Sequence, residues 1–296
     1  MISFSLEYFP PQVEADKSDL SDQAEIMSLY EPDYMSITHS FNANGQNGTL
    51  DMVQRISSRI NTPIVPHMTC AKYSKEDILS MAKDYDDIGV KSIVALRGDP
   101  NSNDSNDMDR FIDAKDFTQA LSDQFDFHIF TAGYPEAHPE SISQDLDLRY
   151  LKEKCLIGID EIVTQWFFNN EDFLTYRDNV NKFGIDTRIS AGILPISDFV
   201  KVKKFATVCG AKIPKSMEQK FAAIKATDLL GIQELGQSIA IDQIESLQKE
   251  GVDNFHLYTL NRKGLTQDIV SHFRKPINPH THLKNTEALK NNRKAS

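Results

Sequence analysis

Cysteine is scarce in this chain: 3 in 296 residues, at Cys70, Cys155 and Cys209. The number is odd, the spacing is wide and no CxxC occurs. Neither a disulfide framework nor a structural zinc site is expected, and the thiols read as reduced, in a cytoplasmic protein. Long apolar runs are missing too. None approaches the ~20 residues of a spanning helix, and the opening MISFSLEYFPP has no basic stretch ahead of its apolar one, so it does not read as a signal peptide. Positive charge is in deficit, with 32 Lys and Arg against 43 Asp and Glu, a formal net charge of −11. That argues against nucleic acid or an anionic membrane as the main partner, since both recruit clustered basic side chains. No GxGxxG follows the first strand, which counts against a dinucleotide-binding Rossmann domain. His67 and His138 are not read as forming a metal site with any cysteine, and the helices hold no HxxxH, so no metal is expected.

The composition that remains is ordinary for a soluble globular protein: 40% hydrophobic and 25% charged. The length suffices for a large core without covalent staples. One pattern recurs along it. A short β-rich run ends in polar or special residues, a loop follows, and then a stretch has helical spacing. Strands are expected at 2–8, 34–38, 63–69, 91–96, 127–133, 160–167, 187–194 and 253–260. Between them, residues 75–89 set Ile78, Met81, Ala82 and Tyr85 on one helical face, with Ser74 as N-cap. Gly89 and Gly184 stand where helices should stop. Eight strands alternating with helices predict a parallel (β/α)8 barrel over residues 1–274, an open doubly wound sheet being the competitor. The stretch 196–250 exceeds one crossover and should hold two or three helices. Residues 275–296 are polar and read as a flexible tail.

Function in such a barrel gathers at the C-terminal strand ends. Those ends carry Glu7, Thr38, His67, Arg97-Gly98-Asp99, the run Ala132 to Pro139 with Tyr134 and His138, Gln165, and Arg262. Core packing does not require so many polar groups in register. Each also has a plainer reading. Glu7 could be an exposed loop residue, His67 a hydrogen-bonded core residue, Asp99 the shaper of a glycine turn, and Arg97 the partner of a local acid. Apolar neighbours in SLEYF would raise the pKa of Glu7, as a general acid needs. Two prolines in YPEAHP stiffen a loop in the way a ligand shelf requires.

Taken together, these segments resemble the methylenetetrahydrofolate reductase family. The matching stretches are SLEYFPP at 5–11, PHMTC at 66–70, IVALRGD at 93–99, AGYPEAHPE at 132–140, VTQWFF at 163–168, AGILPISDF at 191–199, KKFA at 203–206 and FHLYTLNR at 255–262. They run in the family's order over residues 2–273. The resemblance implies an FAD-dependent barrel that takes hydride from NADH or NADPH. It then passes hydride to 5,10-methylenetetrahydrofolate in the same place, giving 5-methyltetrahydrofolate for methionine synthesis. It implies Glu7 as proton donor to the folate and Asp99 as a fixed negative charge beside it. Gln165, Phe205 and Arg262 would contact substrate. Thr38, His67, Arg97, Gly98, Asp99, Ala132, Tyr134, His138, Asp147 and Lys154 would hold FAD. A short chain of bacterial form implies NADH as donor, and the family suggests a homo-oligomer. Tyr150 and Glu153 depart from the family, which offers Asn and Arg there. A glutamate beside the FAD pyrophosphate is tolerable if it turns outward or pairs with Lys152 or Lys154. Two rival readings keep the barrel: a relative without stored FAD, and a non-catalytic pterin- or flavin-binding protein.

Overall fold

A computed structural model describes residues 2–41, 45, 47–99 and 109–278 of the chain. Eight strands form one closed barrel in sequence order: β1 (Ser3–Tyr8), β2 (Tyr34–Ile37), β3 (Ile64–Thr69), β4 (Ser92–Leu96), β5 (His128–Gly133), β6 (Ile159–Thr164), β7 (Arg188–Ile193) and β8 (Asn254–Tyr258). Every neighbouring pair is parallel, including β8 against β1, where Glu7 lies beside Tyr258. The barrel is therefore the (β/α)8 architecture expected, and the open sheet is excluded.

The crossovers are α1 (Glu14–Ser28), α2 (Gly48–Ser57), α3 (Lys75–Asp87), α4 (Ala114–Gln124), α5 (Gln144–Gly158) and α6 (Asn170–Lys182). Between β7 and β8 the chain makes α7 (Phe199–Cys209), α8 (Lys215–Ala222) and α9 (Leu229–Lys249), and α10 (Leu265–Phe273) follows β8. Helix α3 shows the local logic. The Ser74 hydroxyl accepts the Asp77 N–H, satisfying one of the orphan donors of the first turn. Ile78, Ala82 and Tyr85 are buried against the barrel, and Met81 packs at the edge of that core. Gly89 and Gly184 take positive φ of 82° and 69°, the left-handed turn that ends a helix without steric cost.

The outer faces of the strands and the inner faces of the helices make the main core, with Leu6, Tyr8, Met35 and Ile37 on the strand side. Inside the barrel, Tyr34, Val65, Val94, Phe130 and Val163 form a second apolar layer. Below it Glu161 accepts hydrogen bonds from the Tyr34 hydroxyl at 2.8 Å and the Ser190 hydroxyl at 2.6 Å. This filling makes the lower barrel a solid plug and leaves space at the C-terminal end. Among the described residues no helix is long and apolar enough to cross a membrane. Of the expected tail, residues 279–296 lie outside the described residues, as does Pro100 beside Asp99.

Candidate functional site

Strand alternation sends Glu7, His67, His256 and Tyr258 toward the barrel axis, one layer above the apolar filling. With Val94, Leu96, Ala132, Tyr134, Val163 and Gln165 they enclose a cavity of about 220 Å³. Glu7 Oε2 lies 3.6 Å from His67 Nε2 and 3.5 Å from His256 Nε2. On the far side of the second ring, His256 Nδ1 is 2.7 Å from the Ser5 hydroxyl, which sets the imidazole's orientation. Burial pushes the Glu7 carboxyl up, but the His256 contact and the His67 charge outweigh it, and the net direction is down. This corrects the expectation of a raised value. The apolar neighbours Leu6 and Tyr8 belong to the opposite face of β1 and pack outward. The neighbours that matter come from β3 and β8. Burial lowers His67, opposed by Glu7.

The cavity opens sideways. A second cavity of about 280 Å³ shares Leu96, Ala132 and Tyr134 with the first and runs out over the ends of β4 and β5 to α5. It is lined by Arg97, His138, Asp147, Tyr150 and Lys154, so most of the expected FAD residues converge on it. Lys154 is buried, donates to Thr131 Oγ1 at 2.7 Å, and sits 5.3 Å from the centre of the Tyr150 ring. Burial lowers its pKa to about 8, against the pull of Asp147. Burial likewise raises the Asp147 carboxyl, partly offset by Lys154. Arg97 is held by Glu140 at 2.6 Å. In the YPEAHP loop His138 meets Tyr134 edge-on with ring centres 4.6 Å apart, and its Nδ1 accepts the Glu140 N–H.

Other expected residues stand around the mouth. Gly98 has φ of 75°, and a Cβ there would come within 2.7 Å of Thr69, so only glycine lets this turn lie against β3. Asp99 is exposed on the same rim, where it and burial both raise the thiol of Cys209 on α7. Glu7 near the end of β1 and Asp99 just after β4 stand at the same, C-terminal, end of the barrel, but Asp99 lines neither cavity. Phe205, one turn before Cys209, is 44% exposed and lines neither cavity. Thr38 and Arg262 line a third, open cavity of about 740 Å³ between the ends of β1, β2 and β8.

Glu153 does not pair with Lys152 or Lys154. Its partner is Lys115 of α4 at 2.6 Å, which turns the carboxylate outward. Tyr150 accepts the Lys115 N–H and keeps its ring in the cleft. Sequence reasoning overlooked His256 and Tyr258 as site residues. The signal was present, since in FHLYTL every second residue from Phe255 faces outward, leaving His256 and Tyr258 inward.

The methylenetetrahydrofolate reductase family model matches residues 1–274. The chain is 37% identical over 269 residues to 5,10-methylenetetrahydrofolate reductase of Pectobacterium carotovorum subsp. carotovorum, covering 90% of this chain and 89% of that protein. It is 36% identical to the Escherichia coli (strain K12) protein of the same name, with the same coverage. Among solved structures, an uncharacterised Clostridium thermocellum protein described as binding two copies of 5-methyl-5,6,7,8-tetrahydrofolic acid shares the barrel fold. Its TM-score is 0.60 at 15% identity, over 91% of this chain and 93% of that one. With its barrel, its strand-end residues and these relatives in agreement, the chain belongs to the methylenetetrahydrofolate reductase family.

Proposed function

We propose that this protein is an oxidoreductase that reduces 5,10-methylenetetrahydrofolate to 5-methyltetrahydrofolate with NAD(P)H through FAD, residues 1–274 acting as one catalytic domain. The observation that carries this reading is the Glu7–His67–His256 cluster at the closed end of a slot whose open end carries Arg97 and Lys154 among the carboxylates Asp113, Glu140 and Asp147.

The slot fits a flavin dinucleotide by its chemistry. Such a group needs a flat section, a long arm and cations for two phosphates. The cavities joined at Leu96, Ala132 and Tyr134 supply the length, and Arg97 and Lys154 supply the cations. Tyr134, His138 and Asp147 would line the arm, and Thr38, His67, Gly98 and Ala132 the ring. When bound, FAD would carry hydride from the nicotinamide to the folate.

The chain's own residues do the rest. The bridging carbon of the substrate accepts hydride poorly until its bond to N10 opens. Opening requires a proton at N10 and leaves a cation at N5. Glu7 would deliver that proton, drawing on the pair of imidazoles behind it. A flat ligand closing the cavity excludes water and strengthens the burial that pushes the carboxyl up. Asp99 would offset the cation as a fixed anion. Gln165 can both donate and accept, which suits a pterin edge and a nicotinamide carboxamide alike. Phe205 and Arg262, at the mouth, would meet the remainder of the folate.

Anaerobic titration of the purified flavoprotein with NADH and with NADPH, followed by the folate, tests this. NADH should bleach the visible flavin absorbance faster than NADPH, and the folate should restore it with formation of 5-methyltetrahydrofolate. A colourless protein that FAD cannot activate would overturn the reading.

A further inference from the structure

We infer that Asn261 is a positioning residue for the folate half of this reaction: its side-chain amide clamps the turn after β1 and so holds Glu7 in place. The inference rests on the function proposed above. Strand β1 ends at Tyr8, and Pro10 and Pro11 follow. Prolines have no N–H, so they cannot donate to a ladder past that point. On one side the Thr38 N–H still bonds the Tyr8 carbonyl at 2.9 Å; on the other, Glu7 and Phe9 are held from the far end of the sequence.

The tether is a closed circuit of hydrogen bonds. The Glu7 carbonyl accepts from Thr259 twice, from its N–H at 3.2 Å and its hydroxyl at 2.6 Å. The same hydroxyl oxygen accepts the Asn261 N–H at 3.1 Å. The Asn261 side chain then grips Phe9 from both sides. Its Oδ1 accepts the Phe9 N–H at 3.1 Å, and its Nδ2 donates to the Phe9 carbonyl at 2.8 Å. An amide offers both functions in one plane, whereas a carboxylate or a hydroxyl cannot repeat this pairing unchanged.

The backbone conformation behind the clamp is costly. Leu260 and Asn261 both take the left-handed region, with φ of 48° and 53°. Asparagine tolerates it, but a leucine rarely adopts it. Strain of this kind persists where surrounding contacts over-determine it, and it clusters at functional sites. Here it lets residues 259 and 261 meet residues 7 and 9, and it leads into Arg262, whose N–H returns to the Thr259 carbonyl at 3.0 Å. One turn thus fixes two groups relative to each other: the proton donor on β1 and the basic residue at the mouth. A shift of about 1 Å in such groups can cost on the order of 100-fold in rate.

Asn261→Gly separates the clamp from the strain, because glycine keeps the left-handed backbone and loses the amide. The measurements use the FAD-loaded protein: the two half-reactions by stopped flow, FAD affinity by fluorescence, and hydrogen exchange of the segment containing Phe9. The folate half-reaction should fall at least about tenfold. Flavin reduction by the nicotinamide and FAD affinity should stay within about twofold, and the Phe9 amide should exchange faster. Equal loss in both half-reactions, no loss in either, or unchanged exchange would overturn the inference. Asn261→Asp keeps the acceptor for the Phe9 N–H and should show the same one-sided loss, so the outcome is decided even if the glycine variant misfolds. If the wild-type protein forms no methylated folate, the proposed function falls, while exchange at Phe9 still decides the clamp.

Discussion

Glu161 and Glu7 both point into the barrel, one toward each end, and their surroundings differ in kind. Glu161 is 3% exposed and is met by two hydroxyl donors, Tyr34 and Ser190, with the Arg188 guanidinium 3.8 Å away. Its neighbours are fixed donors in a solid layer, and it lines none of the three cavities at the C-terminal end. Glu7 lines a cavity, and its near neighbours are two imidazoles that can gain or lose a proton. A carboxylate saturated by permanent donors braces a structure. A carboxylate beside titratable groups and an open volume can exchange protons with a ligand. The outer cleft repeats the contrast in lysines. Lys154 is buried among cleft residues, whereas Lys115 is an exposed partner of Glu153.

Substitutions can break or sharpen this contrast. Glu7→Gln should have the largest effect: loss of folate reduction by about 10²–10⁴-fold, with flavin reduction by the nicotinamide persisting. Equal loss in both half-reactions would remove Glu7 from the acid role. Glu161→Leu should do the opposite. Removing the acceptor leaves the buried Tyr34 and Ser190 hydroxyls unpaired, which should cost about 1–3 kcal/mol in denaturant unfolding, while the folded fraction keeps its rate per active site.

In the cleft, Lys154→Met should weaken FAD binding by about ten- to a hundredfold, the loss of one charge-assisted contact, measured by fluorescence titration. Because burial lowers Lys154 to about 8, its charged form prevails below that pH. FAD affinity of the wild-type protein should therefore fall as pH rises through about 8. The methionine variant should lose that dependence, and a flat wild-type profile would count against Lys154 as a phosphate partner. Smallest of all, Lys115→Ala should leave FAD affinity unchanged, since the exposed Lys115–Glu153 pair lies outside the cofactor's path. A marked loss would mean that Glu153, once released, turns into the cleft.

Much of this site was legible in the residues. The strand-end runs around Glu7, Arg97 and Tyr134 name the rim, because a parallel barrel delivers every strand's C-terminal end to one face. The Gly98 turn was legible because glycine carries its conformational freedom with it. The direction of the Glu7 pKa was misread. Its sequence neighbours Leu6 and Tyr8 share its strand but not its face, so they say little about its electrostatics. For Glu153 the outward turn was one of the two expected outcomes, but its partner was not legible, because Lys115 belongs to a neighbouring helix.

From its residues alone the chain declares eight strand–helix units, their order, and the polar groups at each strand end. These follow from local rules of periodicity, capping and turn chemistry. Closure of the barrel decided the rest: that His256 on β8 stands against Glu7 on β1, and that Asn261 reaches back 252 residues to Phe9. Proton affinities and clamps depend on distance in space, and the first and last strands become neighbours only when the cylinder shuts.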